Sequence, residues 1–173
     1  MRSVLPGAIC QIGYVVTDLD DIIDHWLQMG VGPWFVIRAL PQHVLYRGEP
    51  CDVTLSLALC NSGEMQIELI QQIGDTPSIF TEFLGATGGG FHQLAYWTSD
   101  FEDTVARISA AEWPMVWSGG RREGVRFAYF EPPAGAAVVE IMELTEASAG
   151  MAAFVKKAAQ EWDGSDPIRE LGP

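Results

Sequence analysis

The stretch Gln11-Ile-Gly-Tyr14-Val-Val-Thr17-Asp18-Leu-Asp20-Asp21 returns downstream as Gln93-Leu-Ala-Tyr96-Trp-Thr-Ser99-Asp100-Phe-Glu102-Asp103, sharing the Gln, the Tyr and two Asp and keeping one apolar rhythm. A second echo follows each copy. Gly63-Glu-Met-Gln-Ile-Glu68-Leu-Ile and Gly135-Ala-Ala-Val-Val-Glu140-Ile-Met each carry a lone glutamate at the same place in an apolar strand. Self-similarity at a fixed spacing means that one supersecondary unit has been used twice. A Gln on the first strand and a Glu on the last strand of each half would bring Gln11, Glu68, Gln93 and Glu140 to one pseudo-symmetric centre.

Working outward, Ile9 to Val16 reads as a buried strand, and Thr17-Asp18 offers a helix N-cap. Leu19, Ile22, Ile23, Trp26 and Leu27 follow at helical spacing, and Gly30, Gly32 and Pro33 end that helix. Strands are expected over Trp34–Ala39 and Val53–Leu59, the latter alternating Val53, Leu55, Leu57 and Leu59 against small or polar residues. Asn61-Ser-Gly63 is a turn signal leading into Met65–Ile70 as an antiparallel partner. Asp75-Thr76-Pro77 precedes a short helix through Ile79, Phe80, Phe83 and Leu84, closed by Gly88-Gly-Gly90. The second half repeats the order, with strands at Phe91–Thr98, Met115–Trp117, Val125–Phe130 and Ala137–Met142 around a helix carrying Phe101, Val105 and Ile108. After Thr145, the residues Met151, Phe154, Val155, Ala158, Ala159 and Trp162 mark an additional helix.

The expected fold is therefore α+β: two tandem βαβββ modules forming a curved, barrel-like mixed sheet around a central cavity, with a C-terminal helix. It is a single domain over 1–173, with the first module and its connecting helix at 8–85, the second module at 90–145 and the helix and tail at 146–173. At 173 residues and 48% hydrophobic content the chain can bury one substantial core. Its net charge of -13, from 23 acidic and 10 basic residues, repels nucleic acid and anionic lipid, so neither is expected as a partner. Arg121, Arg122 and Arg126 form a local exception, read first as a solvated basic loop and alternatively as a site for one phosphate or carboxylate. Cys10, Cys51 and Cys60 lack disulfide or metal-site arithmetic, which points to a reducing compartment, with the cytoplasm as the expected location. No run approaches the roughly 18 apolar residues of a membrane span.

A duplicated βαβββ unit with a polar residue on the first strand and a glutamate on the last resembles the vicinal oxygen chelate superfamily, which includes glyoxalase I, methylmalonyl-CoA epimerase, extradiol dioxygenases and bleomycin-resistance proteins. The run Met65-Gln-Ile-Glu68-Leu-Ile-Gln-Gln72 through Gly90-Phe-His92-Gln93-Leu-Ala-Tyr96 looks most like the epimerase and glyoxalase branch. The similarity spans roughly residues 8 to 145. It implies a metal set at Gln11, Glu68, Gln93 and Glu140, and proton abstraction beside a carbonyl. Histidine usually occupies the position of Gln93, so both imidazoles are replaced here by amides. His92, one residue away on a strand, should point out of the site unless a bulge re-aims it.

Two carboxylates and two amide oxygens suit one divalent ion such as Mg²⁺ or Mn²⁺ better than Zn²⁺ or Fe²⁺, and a metal-free site is an equal alternative. Either way, Glu68 and Glu140 are the acid/base candidates, because two carboxylates converging in an apolar cavity repel and desolvate each other and one must rise in pKa. Trp97, Trp117, Tyr129 and Arg126 are the expected substrate-binding residues, Arg126 as a candidate to hold developing negative charge. The expected function is an isomerase, epimerase or lyase acting on a small carbonyl or thioester-like acyl substrate, in a homodimer. The alternative is a non-catalytic small-molecule binder of the bleomycin-resistance kind.

Overall fold

Alternation of apolar residues over Gln11–Val15 makes β1, and its two faces decide everything built around it. The computed structural model describes residues 3–120, 125–135 and 137–172. In chain order the elements are β1 (Gln11–Val15), α1 (Leu19–Gln28), β2 (Trp34–Tyr46), β3 (Glu49–Ser62), β4 (Met65–Ile73), α2 (Ile79–Thr87), β5 (Gly90–Thr98), α3 (Phe101–Ala110), β6 (Met115–Gly119), β7 (Phe127–Phe130), β8 (Val138–Glu143), α4 (Glu146–Gln160) and β9 (Ile168–Glu170). Arg121 and Arg122 lie outside the described residues.

The sheet order is β3-β4-β1-β5-β8-β7-β6-β2-β9, and β2 also pairs with β3. Eight strands thus close on themselves, which removes the exposed sheet edges that would otherwise invite pairing with another chain. Each module contributes four strands in the order first, fourth, third, second. The modules meet where β1 runs antiparallel to β5, with Gln11 opposite Ala95 and Gly13 opposite Gln93. This pairing carries the pseudo-two-fold: the partner of each glutamine sits two residues along the other copy. Within the modules β1 runs parallel to β4, with Gly13 beside Glu68, and β5 runs parallel to β8, with Ala95 beside Glu140.

Strand alternation then sorts the apolar residues into three cores. Val15, Val53, Leu55, Ile70, Val116, Trp117 and Tyr129 face the barrel interior and meet Phe80 from α2. Leu19 and Ile23 of α1 cover the outer face of the first module over Val36, Ala58, Ile67 and Leu69. Ile108 of α3, with Phe101 and Val105, does the same for the second module over Ala128, Phe130, Val139 and Ile141.

Several boundaries differ from expectation for local reasons. β2 and β3 are far longer than read, 13 and 14 residues, and stay paired from Phe35–Leu59 to Tyr46–Glu49 through an irregularity between Ile37 and Leu40 where Ala39 takes φ 50. Pro41 is tolerated inside this strand, although a proline donates no ladder hydrogen bond. The cap of α2 is Ser78 rather than the Asp75-Thr76 pair. Its hydroxyl accepts from the backbone of Phe80 and Thr81, while Thr81 Oγ1 accepts from Ser78 N in a reciprocal capping box. Gly88 ends α2 in a left-handed conformation at φ 78, which the Gly-rich run supplies without a Cβ penalty. The C-terminal helix ends at Gln160, so Trp162 lies past it; the ring packs over Gly32, where an added Cβ would stand 2.7 Å from the indole. That closeness seats the tail so that β9 adds in parallel to the start of β2, a strand the sequence reading did not contain.

Candidate active site

Four polar side chains enter the middle of the apolar barrel: Glu68 from β4, Gln93 from β5, Tyr129 from β7 and Glu140 from β8. Gln93 is the hub. Its Nε2 donates toward Glu68 Oε2 at 3.3 Å, Tyr129 Oη at 3.0 Å and Glu140 Oε2 at 3.4 Å, and the residue has no solvent exposure. Two N–H groups therefore serve three acceptors, and both carboxylates lie within 3.4 Å of one nitrogen. Room for this comes from Gly13 directly across the ladder, where a Cβ would stand 2.4 Å from Gln93 Cδ. A side chain on Gly13 would push Gln93 off the carboxylates.

A β-bulge supplies the fifth member. Between Gly13 and Tyr14 the pairing partner jumps from Gln93 to Phe91, leaving His92 as the extra residue. Phe91 consequently turns outward against Tyr14, while His92, 4% exposed, turns inward among Phe80, Phe83 and Tyr129. Strict alternation would have put His92 outside. Its Nδ1 lies 2.5 Å from Gln93 Oε1. Because the Gln93 amide nitrogen already faces three acceptors, its carbonyl must accept, and His92 carries its proton on Nδ1. Burial lowers the His92 pKa and favours that neutral form.

Electrostatics follow from depth. Glu140 is 5% exposed, and its carboxyl is raised to about 7, with desolvation outweighing the hydrogen bonds from Gln93 and Tyr129 that pull it down. Glu68 is pushed well above the carboxylate range by burial and then by the charge of Glu140. The Glu68 residue keeps partial surface exposure although its carboxyl is deep among protein atoms, which places it on the wall of the interior space rather than inside packed side chains. Burial and both glutamates raise Tyr129 as well, so its phenol stays protonated and can donate. Two carboxyls facing one amide nitrogen ionise one at a time, so the pair keeps a proton to higher pH than an isolated carboxylate does.

The other residues singled out in the sequence are placed elsewhere. Gln11 is buried on the same inward face, but its Nε2 donates to Gln66 Oε1 at 2.9 Å, and Gln66 holds it one ladder step from the carboxylates. Trp117 is fully buried in the interior core against Phe80 and Tyr46. Trp97 lines a separate cavity with Gln66. Arg126 does not supply the charge-holding group of the site: its guanidinium is paired with Glu143 at 2.6 Å and Glu102 at 2.5 Å and lies over the Phe101 ring on the α3 side. The reason is register. Arg126 immediately precedes β7, and its neighbour Phe127 pairs with Met142, which brings Glu143 beside the arginine. Tyr129 takes the position beside the carboxylates instead. His92 and Gln66 were not singled out as site residues. Gln66 could have been, since it lies two residues before Glu68 on the same strand face.

Among the described residues no three His, Cys, Asp or Glu side chains converge as a metal site. The carboxylates nonetheless form part of a suitable donor set. Turning the Gln93 amide over would set its Oε1 between Glu68 and Glu140, giving three oxygens that suit a hard divalent cation. His92 would then accept on Nδ1 from the turned Nε2, in its other tautomer. Gln11 joins only by releasing Gln66.

Comparison with solved structures places the fold. Methylmalonyl-CoA epimerase from Mycobacterium tuberculosis is similar with a TM-score of 0.58 at 22% identity, over 87% of this chain and 95% of that one. A Streptomyces coelicolor methylmalonyl-CoA epimerase variant in complex with 2-nitronate-propionyl-CoA gives 0.56 at 19% identity, over 80% and 94%. A hypothetical protein from Bacillus halodurans gives 0.54 at 19%, over 80% and 95%. No curated protein matches the chain in sequence. Residues 10–129, spanning both glutamine strands, match the family model of the Glyoxalase/Bleomycin resistance protein/Dioxygenase superfamily, and the chain belongs to that superfamily.

Proposed function

We propose that this protein is an isomerase of the epimerase kind, moving a proton at the carbon beside a carbonyl in a small acyl, thioester-like substrate. The observation that carries this reading is the Glu68–Gln93–Glu140 cluster with both carboxyls raised. A carboxylate near neutral pKa is a usable base at cellular pH, and a partner that retains its proton is a usable acid. Glu140 is the base: the substrate C–H bond breaks, its proton goes to the Glu140 carboxylate, and the electron pair moves onto the carbonyl oxygen. Protonated Glu68 then delivers a proton to the same carbon as the enolate collapses. If the two carboxyls address opposite faces, the centre is inverted.

The enolate oxygen needs a donor, and the Tyr129 hydroxyl fills that role. A divalent cation on Glu68, Glu140 and the turned Gln93 carbonyl would supply Lewis-acid neutralisation of the same charge. The methylmalonyl and propionyl thioesters bound by the similar epimerases define the first substrates to try.

A second reading, a binding protein without chemistry, draws on one feature: the side chain facing the two carboxylates is a glutamine amide and not an imidazole. Exchange of the substrate α-proton in D₂O, followed by NMR on methylmalonyl- and propionyl-CoA, separates the two. The proposal expects exchange by the wild type and a loss of about 10²-fold or more in Glu140→Gln. Binding without exchange, or exchange that survives in the Glu68→Gln/Glu140→Gln double variant, favours the binder.

A further inference from the structure

His92 sits inside a box of aromatic side chains, with Phe83 at 4.9 Å, Phe80 at 5.8 Å and Tyr129 at 6.3 Å between ring centroids. A phenyl ring would fill that box as well, so packing alone does not call for an imidazole. Burying an imidazole also strips water from its polar atoms. Among the described residues its ring makes a single hydrogen bond, from Nδ1 to Gln93 Oε1 at 2.5 Å, and that carbonyl receives no other donor. The bulge that turns His92 inward therefore delivers one polar contact to the centre, and it is made to Gln93.

An amide oxygen and an amide nitrogen are nearly equal in size, so the tight fit of Gln93 over Gly13 sets where the amide lies and not which way it faces. Its facing is decided by the polar partners at its two ends. At one end Glu68, Glu140 and Tyr129 stand around Nε2. Tyr129 has one proton; in the resting centre it is donated to Glu140, which leaves the phenol oxygen free to accept from Gln93. A turned amide would draw that proton onto its own oxygen and strip Glu140 of both donors. The bonds thus run in one direction: His92 Nδ1–H to Gln93 Oε1, Gln93 Nε2–H to Tyr129 Oη, and Tyr129 O–H to Glu140. Each bond in such a chain polarises the next, and this one begins at His92.

We propose that His92 is a positioning residue of the carboxylate centre: its Nδ1–H holds the Gln93 amide with the N–H side toward Glu68 and Glu140, and so orders the hydrogen bonds around both carboxyls. Two readouts come from ¹⁵N NMR on the full chain, the ring-nitrogen shifts of His92 and the carboxamide signals of Gln93. The wild type should show the Nδ1–H tautomer at His92. His92→Phe, which keeps a ring in the aromatic box, should displace the Gln93 signals. His92→Asn, whose Nδ2 stands where Nδ1 does, should return them toward the wild-type position. Exchange of the substrate α-proton adds a third readout: His92→Phe should lose about tenfold or more in kcat with KM unchanged, and His92→Asn should recover most of it. Only this third readout rests on the proposed reaction. A wild type without exchange removes that reaction and leaves the NMR signals to decide the role of His92. Should His92→Phe fail to fold by circular dichroism, the wild-type tautomer and the Gln93 signals of His92→Asn still decide it. The proposal is overturned by an Nε2–H tautomer in the wild type, by Gln93 signals that His92→Phe leaves unmoved, or by Gln93 signals that His92→Asn fails to restore.

Discussion

At Gln93 one side-chain amide is asked to satisfy two carboxylates, a phenol and an imidazole, and its orientation reports what lies between the glutamates. With the N–H toward Glu68 and Glu140 the pair tolerates one negative charge without a cation; with the carbonyl toward them it requires a proton or a cation. Gly13→Ala tests this hub without touching a charged group. The added methyl collides with Gln93, and the expected result is loss of α-proton exchange with folding retained, measured by NMR exchange and circular dichroism. Gln93→His should raise divalent-metal affinity by calorimetry, since imidazole is a stronger donor than an amide oxygen and Glu68 and Glu140 already flank the position.

The pH dependence also belongs to single residues. Glu140 is raised from 4.5 to about 7, so the folded chain holds this proton more tightly than the unfolded chain does. The resulting stabilisation is full below the unfolded value and is lost as pH rises through the folded one. Over the whole shift it amounts to roughly 3 kcal/mol. Stability from urea unfolding should therefore fall between about pH 5 and about pH 8, and Glu140→Gln should flatten that slope and exceed the wild type at the upper end. An unchanged slope in the variant would remove Glu140 from the linkage. Turnover has the opposite sign on its acid side: kcat/KM should rise as Glu140 ionises through about 7 and decline once Glu68 gives up the proton that burial and the Glu140 charge hold on it.

At the scale of elements, α2 connects the modules and also inserts Phe80 against His92, Trp117 and Tyr129. Its position is set by the Ser78 cap, whose hydroxyl also donates to Gln72 Oε1 at 2.5 Å, and by Arg47 of the β2–β3 turn bridging Glu82 and Glu131. Ser78→Ala should cost about 1–2 kcal/mol in urea unfolding, through the lost cap and an unpaired Gln72. The wild-type value would show that α2 is held by Phe80 alone. The β5 bulge is the other decisive element feature. Alternation read from sequence assigned Gln93 inward correctly and His92 outward, and one extra residue in β5 was enough to bring both inside. Nothing in the composition of Phe91-His92-Gln93 announces it; the register is set by the ladder with β1.

For the whole molecule, 23 acidic residues against 10 basic ones oppose compaction, and moderate NaCl should raise the melting temperature by screening that repulsion. No helix among the described residues is long and apolar enough to cross a membrane. Closure of the eight-strand sheet brings Glu68 and Glu140, far apart in sequence, into the same interior, where burial and the charge of Glu140 raise the Glu68 carboxyl.

The repeat alone determined the two-module α+β architecture, the order of strands and helices through residue 145, and the choice of Glu68, Gln93 and Glu140 as inward-facing polar positions. These are legible because periodicity and duplication are local properties of the chain. Only the tertiary structure decided that Gln66 retains Gln11, that Glu143 and Glu102 engage Arg126, that Tyr129 stands beside the carboxylates, and that α4 forms one side of an open cavity with Asn61 and Trp97 among its lining residues. Those outcomes depend on which hydrogen-bonding partner comes within about 3 Å after the barrel closes. A sequence pattern fixes the face a side chain occupies, and long-range register chooses its neighbour.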